Sequence, residues 1–119
     1  MKLLEIGELI ECEVIVGEKH LDQDIGEVCA ADLMSDVLAF TVPGGVLLTG
    51  LSNVQSVITS HVAEVAAIIY VRGKQPDADA VKLAKQKQIP LLKSPLSMFE
   101  ACGRLYEKGL KPCTNLGKR

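Results

Sequence analysis

The 119-residue chain is 48% hydrophobic, enough for one domain with a real core. With no Trp, two Phe and two Tyr, that core must be aliphatic, and no aromatic platform exists for stacking nucleic-acid bases. A formal charge of −2 lacks the basic footprint of a DNA or RNA binder. In chain order, Leu3, Ile6, Leu9 and Ile10 make one face of a first helix, with Glu5, Glu8 and Glu11 on the others. Those acids exclude a signal peptide or a membrane span, so the chain is expected in the cytoplasm. CEVIV then reads as a strand ended by Gly17, and residues 18 to 25 as a polar connection. GEVCAAD, from Gly26 to Asp32, reads as a second strand. The helix after it is predicted to be capped by Asp32 and to turn Leu33, Met34, Val37 and Leu38 inward. Asp32, Ser35 and Asp36 gather at its N-terminal turn, where the helix dipole favours negative charge, and capping explains them without metal or catalytic chemistry.

Pro43-Gly44 suits a type II turn, and Val46 to Thr49 is short enough for a central strand. After the loop Gly50-Leu51-Ser52-Asn53, Ser52 and Gln55 match a capping box. Val54, Val57, Ile58, Val62 and Val65 then recur at helical spacing. The stretch from Ala67 to Leu92 is a βαβ unit. Ala67 to Val71 is a buried strand stopped by Arg72-Gly73, Asp77 caps a helix carrying Val81, Ala84, Lys85 and Gln88, and Ile89-Pro90 leads into the strand Leu91-Leu92. Ser97 and Glu100 form another capping box, predicting a last helix with Phe99, Cys102, Leu105 and Tyr106 inward and Gly109 at its end. Two joined strand–helix units imply an α/β domain of three layers, with helices on both faces of a mixed, mostly parallel sheet of about five strands. Residues 1–110 are expected to form it. The basic run from Lys108 to Arg119 then leaves 111–119 as a short, solvated basic tail.

Parallel strands collect their following loops on one edge, where α/β domains bind ligands. That edge would hold Ser52, Asn53, Arg72, Gly73, Lys74, Lys93, Ser94 and Ser97, with Arg72, Lys74 and Lys93 supplying charge and the serines hydrogen bonds. A nucleotide or another phosphate- or carboxylate-bearing effector would suit it. Caps and solvated charges explain the same residues without a ligand. Catalysis has no pattern behind it: His20 and His61 lack a paired nucleophile, so no catalytic residue is assigned. Cys12, Cys29, Cys102 and Cys113 are far apart, with no CxxC pair, and read as reduced thiols rather than metal ligands, Cys29 as a buried, inert one. No cofactor is assigned. Leu51, Val54, Tyr70 and Met98 are candidates for an apolar patch that a second copy would cover in a homodimer.

RGKQPDADAVKLAKQKQIPLLKSPLSMFEACGRLYEKGL carries a glycine turn (Gly73), a helix start (Pro76, Asp77), the strand run Ile89, Pro90, Leu91, Leu92, and the helix opening Ser94, Pro95, Leu96, Ser97. In these features it resembles the DRTGG domain family and, more distantly, the N-terminal domain of HPr kinase/phosphorylase. AADLMSDVLAF, with Asp32, Ser35 and Asp36, is similar to stand-alone members found beside iron-hydrogenase genes. The letters Asp-Arg-Thr-Gly-Gly do not occur in the chain, and no GxxxxGK[ST] loop is present. The resemblance implies a fold like the N-terminal domains of HPr kinase and of Mur ligases such as MurF. It also implies a non-catalytic regulatory or accessory module, with an enzyme of hydrogen or fermentative metabolism as a possible partner, or a purely structural, homodimerising module without a ligand.

Overall fold

A computed structural model describes residues 1–113. Helix α1 (Leu3–Leu9) leads into strand β1 (Glu13–Val16), and a single 3₁₀ turn (Glu18–His20) precedes β2 (Glu27–Ala30). Strand and helix then alternate: α2 (Met34–Phe40), β3 (Val46–Thr49), α3 (Val54–Ala63), β4 (Ala67–Tyr70), α4 (Ala78–Lys87), β5 (Leu91–Lys93) and α5 (Met98–Glu107), ending in β6 (Lys111–Pro112). The sheet has six strands in the order β1-β5-β4-β3-β2-β6, all parallel except β1, which runs antiparallel to β5. The strand missing from the expected five is β6. Two residues, one of them proline, carry no hydrophobic period, so only pairing with Glu27 and Val28 makes them a strand. The sheet therefore runs past the boundary expected at residue 110, while residues 114–119 of the expected tail lie outside the described residues.

β3 and β4 are buried along their whole length because both sheet faces are covered. Val46, Leu48, Ala67, Ile69 and Val71 point to one face, where they pack with α1 and α5 through Leu3, Ile6, Ala101 and Leu105. Leu47, Ile68 and Tyr70 point to the other, against Val37 of α2, Val57 of α3 and Ala80 and Ala84 of α4. Each fully buried Leu or Ile contributes about 1.5–3 kcal/mol relative to exposure. The Pro43-Gly44 turn forms as the sequence predicts, with Gly44 at φ +87° and the Gly45 N–H donating to Val42 C=O at 3.2 Å.

Three helices turn differently from their hydrophobic periodicity. In α5 the sheet-facing residues are Ala101 and Leu105, and Phe99 and Tyr106 are 90% and 73% exposed. A small residue at 101 seats the helix close to the sheet and rotates both aromatic rings outward. In α2 only Val37 is fully buried, while Leu33 and Leu38 are exposed. α3, which packs between α2 and α4, buries Ser56, Thr59 and Ser60 and leaves Val62 65% exposed with Ile58 beside it. Its small polar face is tolerated because Ser56 Oγ donates to Asn53 C=O at 2.7 Å and shares a 2.8 Å hydrogen bond with the buried Tyr70 hydroxyl. Ser60 Oγ has no partner among the described residues.

Candidate functional site

Parallel pairing of β2 through β5 puts their C-terminal loops on one rim. Helices α2, α3 and α4 follow β2, β3 and β4 on one sheet face and α5 follows β5 on the other, so the connections part between β4 and β5. In open α/β sheets a ligand crevice opens at such a point. Here it is closed by backbone: Arg72 N–H donates to Leu96 C=O and Gly73 N–H to Ser94 C=O, each at 2.7 Å. Those bonds hold Arg72 in the left-handed region at φ +59°, and its guanidinium lies back over Gly50 at the end of β3. A Cβ at residue 50 would meet the end of that flexible side chain and push it aside. Beside the same glycine, Asp32 Oδ1 accepts from the Gly50 N–H at 2.7 Å and from Thr49 Oγ1 at 3.1 Å.

The remaining predicted residues share the rim but differ in what is left free. Ser94 is fully buried: its hydroxyl donates to Ile10 C=O at 2.6 Å and accepts from Leu96 N–H at 3.2 Å. Ser97 caps α5, accepting from Glu100 N–H at 3.2 Å, and the reciprocal half of the box is absent because Glu100 pairs with Arg104 at 2.9 Å. Asn53, not Ser52, caps α3, with Oδ1 accepting from Gln55 N–H at 3.1 Å, while Ser52 C=O receives Asp77 N–H at 3.1 Å. Lys93 Nζ donates to Gln75 Oε1 at 2.9 Å and lies 3.6 Å from the Glu13 carboxylate. Among the described residues Arg72 and Lys74 have no ion pair and the Ser52 hydroxyl has no hydrogen bond.

A groove of about 610 Å³ opens elsewhere, between α2 and α5 at the sheet edge where β2 meets β6. Phe40, Phe99 and Tyr106 line it with Cys29, Cys102 and Cys113. Among the described residues no metal-sized cluster forms from these thiols. Burial pushes the Cys102 and Cys113 thiols above the usual range, which keeps them protonated and weakly nucleophilic. Thr41 Oγ1 donates to Cys29 Sγ at 3.3 Å and Val42 N–H to Cys113 Sγ at 3.1 Å, so both sulfurs are built into the wall.

The DRTGG domain model matches residues 5–107. The chain belongs to the DRTGG domain family. Among solved structures, the fold matches the CBS and DRTGG domains of the regulatory region of Clostridium perfringens pyrophosphatase, complexed with its activator diadenosine tetraphosphate. The TM-score is 0.71 at 21% sequence identity, over 92% of this chain and 47% of that one, so the chain spans about half the length of that structure. A search of curated proteins returned no match.

In this DRTGG domain the loops carrying Ser52, Arg72 and Ser94 do meet, as parallel strands require, but not every residue in them is available. Ser94 and Ser97 serve the backbone, and Asp32 ties β2 to β3 instead of capping α2, whose N-cap Leu33 makes no side-chain cap bond. Tyr70, expected in an apolar patch, is fully buried. Sequence reasoning missed the groove. Its signal was present in Phe99, Cys102, Gly103 and Tyr106, which lie on one helical face, but an amphipathic reading assigns such a face to the core.

Proposed function

We propose that this DRTGG domain is a non-catalytic regulatory module whose rim takes an anionic effector of nucleotide type. The supporting observation is Arg72: its backbone is held by a hydrogen bond, and its exposed guanidinium, without an ion pair among the described residues, lies over Gly50 on the same rim as Lys74. A planar guanidinium recognises phosphate with two parallel hydrogen bonds. The diadenosine tetraphosphate bound to the Clostridium perfringens regulatory region supports a nucleotide as the effector class. The match to a regulatory region supports a role without catalysis. The test is thermal denaturation with ATP, ADP, AMP and diadenosine tetraphosphate. A ligand at a hundred times its Kd adds about 2.7 kcal/mol, and Arg72→Ala should abolish that gain. If no member of the panel raises the wild-type Tm at millimolar concentration, the effector reading is wrong.

A second reading, homodimerisation, is favoured by Val54, Ile58 and Val62, which repeat every four residues along the outward face of α3. The two are compatible, because an effector can bias an assembly equilibrium. The resemblance of the Ala30 to Phe40 stretch supports a partner enzyme of anaerobic metabolism, and a cytoplasmic setting goes with such a partner. Failure of the chain to co-elute with an iron hydrogenase under anaerobic conditions would remove that partner. Among the described residues no helix is long and apolar enough to cross a membrane.

A further inference from the structure

The rim changes sign across the sheet. Ala30 pairs with Leu48 and Thr49 with Tyr70, so two residues further on Asp32 stands beside Gly50 and Arg72 beside Leu51. Asp32 and Asp36, both exposed, put negative charge past the end of β2, and Arg72 and Lys74, exposed as well, put positive charge past the end of β4. The two signs gather at one glycine. A Cβ on Gly50 would lie 3.2 Å from Arg72 Cζ and 3.5 Å from Asp32 Oδ1, yet no ion pair joins the two side chains among the described residues. The Asp32 carboxylate is also used through one oxygen alone. Oδ1 accepts from both the Gly50 N–H and Thr49 Oγ1, while Oδ2 has no hydrogen bond or ion pair among the described residues. An exposed acceptor anchored by its twin oxygen suits a neutral donor, since a second anion there would be repelled.

We propose that Asp32 is a specificity-determining residue of the rim: its Oδ2 accepts from the ribose hydroxyls of a nucleotide whose phosphate sits on the Arg72 guanidinium. The assignment rests on the effector reading of the rim and adds to it which way round the effector lies and which sugar it carries. A nucleotide is anionic at its phosphates and offers a neutral diol at its sugar. Adjacent strand ends are about 4.8 Å apart, close to the spacing of phosphate and sugar hydroxyls within one nucleotide. A phosphate set against Asp32 would meet like charge, so the rim admits one orientation, with the phosphates towards β4 and the sugar towards β2. A carboxylate receives ribose hydroxyls in the same manner in dinucleotide-binding sheets. An inorganic polyphosphate would use Arg72 and gain nothing from Asp32.

Titration calorimetry on the full chain compares whichever of ATP, ADP and AMP binds tightest with its 2′,3′-dideoxy analogue, which keeps the phosphates and base and lacks both hydroxyls. Losing a hydrogen bond to a charged acceptor should weaken wild-type binding by at least about tenfold. Asp32→Asn keeps one oxygen for the Gly50 N–H and Thr49 Oγ1, and replaces the other with an amide donor. In that variant the ratio between the two nucleotides should fall to about one, because the ribonucleotide loses its acceptor. The dideoxy analogue should bind as well as before or better, since a like charge near its phosphates is gone. An Asp32 that is merely structural would weaken both nucleotides together, with a lowered unfolding midpoint and an unchanged ratio, and that result overturns the proposal. Equal wild-type affinities, both lost in Arg72→Ala, also overturn it and leave the effector reading standing. Binding of none of the three nucleotides overturns the two together.

Discussion

Ser94→Ala removes one hydroxyl and two hydrogen bonds that hold three elements together. The oxygen donates to Ile10 C=O at the end of α1, 84 residues away, and accepts from Leu96 N–H at the entry to α5. Ser94 is fully buried and its bond to Ile10 is buried with it, so water cannot replace the lost proton on that carbonyl without opening the α1–sheet contact. One neutral hydrogen bond contributes about 0.5–1.5 kcal/mol, and an orphaned buried group costs about 1–3 kcal/mol. A loss of roughly 2–3 kcal/mol follows, with a fall in Tm of about 8–12 °C for a domain of this size. Urea unfolding followed by circular dichroism measures it, with the midpoint moving and the slope unchanged. Any nucleotide-dependent rise in Tm should survive the substitution, because Ser94 offers no free group to a ligand. A loss below about 0.5 kcal/mol, within the ordinary range for surface substitutions, would refute the view that Ser94 is structural. So would selective loss of ligand response at intact stability.

Two further outcomes follow from named side chains. If α3 joins two copies through Val54, Ile58 and Val62, Val62→Glu should convert the light-scattering mass from dimer to monomer and leave the unfolding midpoint extrapolated to low concentration within about 0.5 kcal/mol. A wild-type monomer at all accessible concentrations would remove the dimer. Burial raises the Cys12 thiol from 9.0 to about 12. Because the folded state keeps that proton longer than the unfolded state, the associated stability is intact below pH 9.0 and is lost as pH rises towards 12. Burial shifts Tyr70, Cys102 and Cys113 in the same direction. Alkylation of Cys12 by iodoacetamide at pH 8 should therefore be far slower folded than in urea, and equal rates would contradict its burial.

Much of the architecture is legible in the order of residues because buried parallel strands leave a strong local mark. Val46 to Thr49 and Ala67 to Val71 are apolar runs too short for helices, and Asp77 and Ser97 cap the helices they precede. Chain order with crossover helices then forces Ser52, Arg72 and Ser94 to a common rim. What each group does there depends on neighbours far away in sequence. Ser94 is occupied because Ile10 reaches it, Asp32 because Gly50 lies beside it, and the Arg72 side chain has no ion pair among the described residues because Leu96 takes its backbone N–H and not its side chain.

Periodicity names the residues able to face a core; interhelix packing chooses the sector that does so. Phe99, Tyr106, Ile58 and Val62 fit their helical stripes as well as the residues that are buried, yet close seating through Ala101 and Ser60 turns them to the surface. Strand β6 carries no pattern at all and exists because β2 offers Glu27 and Val28 an edge to complete. Local propensity and alternation thus set which segments are strands and helices and the end of the sheet where their loops gather. Only three-dimensional packing decides which side chains those loops leave free and where an apolar groove opens, since both depend on contacts between residues distant along the chain.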